Sequence, residues 1–317
     1  MEFLRTPDER FENLDGYPFA PNYIDVPDGE GGSLRMHYVD EGPRGGQPVV
    51  MVHGNPTWSY MWRSLIPRLA DAGYRAIAVD MIGMGRSDKP ASMDDYTIAR
   101  HERWLEAGII DGLGLNNAHF ILHDWGGIVG LRVVANNQDQ VASVVYSNTG
   151  FPAWEPGKEI VEMNRPGAEF LRAFQDTIRQ TEDWPHWEQV AGMVLSDMSD
   201  TVKAGFAAPC PDPSYIVANR KFALMLPTQN DNPMLEDNWR ALEKLKSFER
   251  PFLCLYSDKD VVAPTGYKSV HPFIPGAANY DPVILEGGSH FLLEDIPEAY
   301  CEAVLGHLTA HTHSKKR

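Results

Sequence analysis

The sequence predicts an α/β fold: a mostly parallel central sheet flanked by helices, with an all-helical segment inserted between its later strands. Three observations predict it. Short apolar runs alternate with stretches of helical periodicity, the pattern that covers a parallel sheet on both faces. That alternation stops between residue 151 and about 230, where Pro- and Trp-rich helical stretches carry no clear strand. Finally, the apolar run Phe120-Ile121-Leu122 breaks into His123-Asp124-Trp125-Gly126-Gly127 and leads straight into Ile128 to Val134. A strand, a sharp turn and a helix in that order hold one side chain exposed above a sheet.

Taken in order, residues 1 to 33 are rich in Pro, Gly, Asp and aromatics and read as an irregular arm. Leu34 to Val39 alternates as a strand does, and Pro48 to Val52 is a short apolar run that reads as a buried strand. His53-Gly54-Asn55-Pro56 breaks it, after which Met61, Trp62, Leu65, Ile66 and Leu69 recur at helical spacing. Ala76 to Val79 is the next strand, followed by Asp80 and the loop Gly83-Met84-Gly85-Arg86-Ser87-Asp88. That loop has a GxG but not the GxGxxG and later acid of a dinucleotide site. Ile98, Leu105 and Ile109 mark a helix before the Phe120 strand, and Val141 to Tyr146 is a further strand. Beyond the helical segment, in which Glu169 to Arg179 is one helix, Asp237 to Phe248 reads as a helix returning to the main body. Phe252 to Tyr256 and Val283 to Leu285 are strands, and Ile296, Tyr300, Val304 and Leu308 line a final helix before the polar tail His311 to Arg317. The expected division is a main domain from 1–150 and 231–317, with a helical cap from 151–230.

Composition narrows the function. Hydrophobic residues at 43% and charged residues at 23% are an ordinary globular balance, and 317 residues can bury a substantial core. The net charge of -16 argues against nucleic acid or an anionic membrane as partner, and favours a neutral small molecule over an anionic one. Cys210, Cys254 and Cys301 form no CxxC and no metal pattern, which suggests reduced thiols inside a cell. Met1 to Pro7 lacks the basic start and apolar stretch of a secretory signal, and no run of about 18 apolar residues spans a membrane, so a cytoplasmic location is expected. The eleven histidines show no HExxH spacing; His307, His311 and His313 read as solvated, and no metal or organic cofactor is expected.

The chemistry rests on Asp124, Asp260 and His290. Ligands of such sheets bind beyond the carboxyl ends of the strands, and each of the three follows an apolar run, ending at Leu122, Tyr256 and Leu285. The chain order nucleophile, acid, histidine is that of α/β-hydrolases. An Asp at the turn also suits a helix N-cap, but a carboxylate there is already ionised and attacks without a base. Asp260 would fix the imidazole tautomer and His290 would activate water, with Asp258 as the fallback acid. An Asp nucleophile forms an ester, so the substrate offers an electrophilic sp³ carbon, either a carbon–halogen bond or an epoxide. Trp125 and Asn55 bring N–H donors suited to a departing halide. An epoxide needs an acid for its oxygen, usually a tyrosine pair, and the insertion holds only Tyr215.

With these residues assembled, the sequence resembles the haloalkane dehalogenases of the α/β-hydrolase superfamily over nearly its whole length. The resemblance is carried by Met1 to Pro7, His53 to Tyr60, Gly83 to Pro90, His123 to Gly127 and Ala208 to Tyr215. Epoxide hydrolases share HG-x-P and HDWG; Asn55 and the segment ending at Tyr215 are the more specific features. The resemblance implies in-line displacement of halide by Asp124, hydrolysis of the alkyl ester by water that His290 activates, and an oxyanion held by the backbone N–H groups of Asn55 and Trp125. Some members place the acid after the strand that here ends at Tyr146; this chain has Asn148 there, which leaves Asp260. Others use a second halide-binding Trp, but Phe170 to Phe174 has none, and Trp184 and Trp187 read as packing residues. The halide pair is therefore expected to be Asn55 and Trp125. The alternatives are an epoxide hydrolase, an inactive hydrolase fold that only binds, and a haloacetate hydrolase, which would want an arginine where Trp125 stands.

Overall fold

The computed structural model describes residues 1–159, 168–181, 186–229 and 231–312. Its centre is an eight-stranded sheet made of β1 (Asn22–Pro27), β2 (Ser33–Glu41), β3 (Pro48–Val52), β4 (Arg75–Val79), β5 (Ala118–His123), β6 (Val141–Ser147), β7 (Phe252–Ser257) and β8 (Val283–Leu285). The spatial order is β8-β7-β6-β5-β3-β4-β2-β1. Pairing is parallel from β8 to β4, and antiparallel where β2 meets β4 and β1. Every residue of β5 is buried, because helices lie on both faces and β3 and β6 lie on both edges. A strand of this kind reads as a continuous apolar run rather than an alternating one.

The helices that matter for the site are α1 (Leu65–Asp71), α2 (Ile98–Glu106), α3 (Trp125–Asn136) and α4 (Ala168–Gln180). They continue with α5 (His186–Gly192), α6 (Asp200–Ala207), α7 (Val217–Met225), α8 (Pro233–Leu245) and α9 (Pro297–Thr312). Between β6 and β7 the described residues hold helices and turns and no strand of the sheet. The chain returns through α8, which packs on α3. Helix α8 begins earlier than its periodicity predicts because Asn232 caps it, its Oδ1 accepting from the Met234 N–H at 3.0 Å, with Pro233 in the first turn.

Residues 1 to 33 are more ordered than their composition predicts. Asn22–Pro27 pairs with Ser33–Glu41, and Phe3–Leu4 pairs with Lys89–Pro90. Strand β1 lies at the edge of the sheet, so Pro27 removes no needed donor, and Val26 alone of its side chains is fully buried. An edge strand with one core residue leaves little hydrophobic signal. The arm also ties separate parts together. Arg5 makes two bonds to the Asp88 carboxylate at 2.7 and 2.8 Å, and Thr6 Oγ1 donates to the Pro209 carbonyl at 2.7 Å.

Candidate active site

Asp124 sits between the end of β5 and the start of α3, with φ 51° and ψ −124°. A left-handed φ on a side chain with a Cβ costs about 1–3 kcal/mol and persists only where the surroundings enforce it. Here they do. A Cβ on Gly126 would run into the carbonyl oxygens of Val52 and His53, and one on Gly127 would run into Thr149, so α3 can start this close to β3 and β6 only with glycines. Thr149 Oγ1 and the Gly127 N–H both bond the Asp124 carbonyl, at 2.7 and 2.8 Å. The Asp124 side chain does not cap the helix. Its Oδ1 instead accepts from the Asn55 N–H at 2.8 Å.

That N–H is aimed by its own peptide unit. The Gly54 carbonyl, on the opposite side of the Gly54–Asn55 peptide, accepts from Thr57 Oγ1 at 3.0 Å and from His53 Nδ1 at 2.8 Å. The His53 tautomer follows, because its Nε2 accepts from the Met81 N–H at 3.0 Å. Burial lowers the His53 pKa and keeps the ring neutral. Gly54 must be glycine, since a Cβ there would overlap the Asp124 side chain. His53 and Thr57 thus fix the peptide that faces Asp124, a part that spacing alone did not distinguish from loop residues.

His290 lies between two carboxylates. Its Nδ1 is 3.0 Å from Asp260 Oδ1, and its Nε2 is 3.4 Å from Asp124 Oδ2. Burial pulls its pKa down, but the charge of Asp260 and the bond to Asp124 outweigh that and raise it to about 10. Burial raises the two carboxyls in turn, and the imidazolium overcomes it, holding both below their ordinary range. Asp260 is further fixed by the N–H groups of Val262 and Ala263 at 2.8 and 3.2 Å. Asp258 faces elsewhere: it pairs with Lys259 and accepts from the Gly287 N–H.

Asn148 occupies the other place where an acid could stand. Its amide Nδ2 is within hydrogen-bond distance of Ser257 Oγ, the Ser289 carbonyl and the His290 carbonyl, at 2.9, 2.9 and 3.1 Å. His123 Nε2 donates to the same His290 carbonyl at 2.8 Å. Both side chains therefore hold the backbone that carries His290.

Trp125 is buried and the Asn55 side chain partly so, both beside Asp124. Asn55 Oδ1 accepts from Asn219 Nδ2 at 3.2 Å, a contact from α7 that the sequence did not reveal. None of the hydrogen bonds among the described residues joins Tyr215 to Asp124, Asp260 or His290. Trp184, the Trp187 side chain and His313 lie outside the described residues. No group of three or more His, Cys, Asp or Glu among the described residues is arranged to hold a metal.

The model of the α/β-hydrolase fold family matches residues 47–296. A haloalkane dehalogenase of Psychrobacter cryohalolentis is 40% identical over 295 residues, covering 93% of this chain and 94% of that protein. The chain belongs to the haloalkane dehalogenases. A second such dehalogenase, from Mycobacterium marinum, is 39% identical over 305 residues, 96% of this chain and 99% of its own. Among solved structures, the haloalkane dehalogenase DpaA of Paraglaciecola agarilytica superposes with a TM-score of 0.83 at 29% identity, covering 96% of this chain and 98% of that one. The dehalogenases are hydrolases acting on carbon–halide bonds.

Proposed function

We propose that this chain hydrolyses a neutral haloalkane to a primary alcohol, a halide ion and a proton through a covalent alkyl ester on Asp124. The reading is carried by the placing of Asp124: Oδ1 on the Asn55 N–H, Oδ2 toward His290. In the first step Oδ2 attacks the carbon bearing the halogen, and the carbon–halogen electron pair leaves with the halide. The Trp125 indole and Asn55 amide N–H groups receive the charge that develops there.

In the second step water attacks the ester carbonyl while His290 takes its proton. Charge collects on Oδ1, where the backbone N–H groups of Asn55 and Trp125 stabilise it; the Asn55 N–H already bonds the resting carboxylate at 2.8 Å. Asp260 orients His290 and supports the imidazolium. Collapse frees the alcohol and regenerates Asp124. Alkylation removes one of the two negative charges that hold His290 protonated, so the base is released when it is needed. No step calls for a metal or cofactor.

We further propose that residues 151–230 form a cap over a main domain of 1–150 and 231–317, which agrees with the absence of sheet strands between β6 and β7 among the described residues. A cytoplasmic setting without nucleic-acid or membrane partners is supported by three unpaired thiols and the charge of -16, and no helix among the described residues is long and apolar enough to cross a membrane.

Bromide release from 1-bromobutane and 1,3-dibromopropane, with styrene oxide in parallel, tests the reading on wild type and Asp124→Ala. Bromide released by wild type and lost in the variant is expected. Diol from styrene oxide without bromide release would replace this function with epoxide hydrolysis.

A further inference from the structure

We propose that Asn219 is a positioning residue for the reaction: it fixes which end of the Asn55 amide faces the departing halide. The inference rests on the dehalogenase reading and adds a part of the insertion to its chemistry.

An asparagine side chain helps an anion from one end only. Nδ2 donates, whereas Oδ1 turned the same way repels the developing charge. A half-turn about Cβ–Cγ exchanges the two ends with little change in shape, so a hydrogen-bond partner must decide. Asn219 Nδ2 donates to Asn55 Oδ1 at 3.2 Å, and Asn219 is only 3% exposed. Solvent therefore competes little for that bond. With Oδ1 engaged toward α7, Nδ2 is left for the leaving group.

The same helix reaches the other donor. Phe222, one turn after Asn219 and on the same face, packs edge-on against the Trp125 indole at 5.0 Å and 63°. Helix α7 is itself seated closely, because the Ala218 methyl occupies the space a Cβ on Gly83 would need. One helix face thus sets both members of the halide pair, by a hydrogen bond to Asn55 and by a ring contact to Trp125. Leu171 to Phe174 offers no tryptophan to donate directly. The insertion contributes here by orienting donors that belong to the main body.

The test combines two variants with a second background. Asn219→Leu removes the donor and leaves the Asn55 amide free to turn; Asn219→Asp offers only acceptors and draws Nδ2 away from the halide. Removing a donor aimed at developing charge costs about 10²–10³ in rate. Asn219→Asp is expected to approach that loss in kcat, and Asn219→Leu to lose about tenfold, the effect of one ordinary hydrogen bond. The inhibition constant for bromide ion is expected to rise in the same order. In the Asn55→Ala background neither substitution changes kcat or bromide inhibition further. Equal losses with and without Asn55 would mean that Asn219 only packs, and would overturn the proposal, as would variants that match wild type. A wild-type protein that neither releases bromide from 1-bromobutane nor is inhibited by it would overturn the dehalogenase reading itself.

Discussion

Asp124→Asn keeps the shape of the proposed nucleophile and removes its charge, which is also what the proposed alkylation would do. In the resting protein His290 has carboxylates at 3.0 and 3.4 Å and titrates at about 10 rather than 6.5. One opposite charge at such range moves a pKa by about one to three pH units, equivalent to about 1.4–4 kcal/mol. His290 in the variant is therefore expected to titrate between about 7 and 9. At pH 8 the neutral imidazole would rise from about one molecule in a hundred to roughly half for a pKa near 8. The sign also applies to stability. A raised histidine pKa stabilises the fold below pH 6.5, and that contribution fades as pH climbs toward about 10 in wild type but earlier in the variant. NMR titration of the His290 ring reads the shift directly. A ring that still titrates near 10 would show that Asp260 alone holds the proton, and the release of the base on alkylation would have to be abandoned.

Two further outcomes follow from the same geometry. His290→Gln is expected to release one equivalent of bromide per protein and then stop, leaving a mass increase of one alkyl group on Asp124; sustained turnover would show that another base serves the second step. Asn148→Ala takes one of two donors from each of the buried Ser289 and His290 carbonyls and is expected to lower stability by roughly 1–3 kcal/mol in urea unfolding; an unchanged midpoint would mean that His123 and Ser257 hold that loop without it.

Strands β3, β5, β6 and β7 were legible because burial on both faces turns them into apolar runs, and the turn residues after them were legible because glycine and polar pairs end those runs sharply. The approach of Asp124, Asp260 and His290 followed from topology. What sequence could not show is which atom faces which. Asp258 and Asp260 differ by two positions, and only the direction of the loop, with Val262 and Ala263 folding back on the carboxylate, separates them. Asn148 marks a vacant acid position in the sequence and proves to be a triple contact for the histidine loop. Asn219 gave no signal at all, since a lone polar residue in a helix is ordinary until its partner is known. Strand β1 was missed for the opposite reason: Pro, Asp and a single core residue hide an edge strand.

Strands β6 and β7 lie side by side although the whole insertion separates Ser147 from Phe252. Closing a loop of that size depends only logarithmically on its length, so halving or doubling the insertion would alter the closure free energy by about 0.6 kcal/mol. The sheet that holds Asp124, Asp260 and His290 is therefore almost indifferent to how much chain joins β6 to β7. Selection can lengthen, shorten or rebuild that connection while the three side chains on the sheet stay as they are.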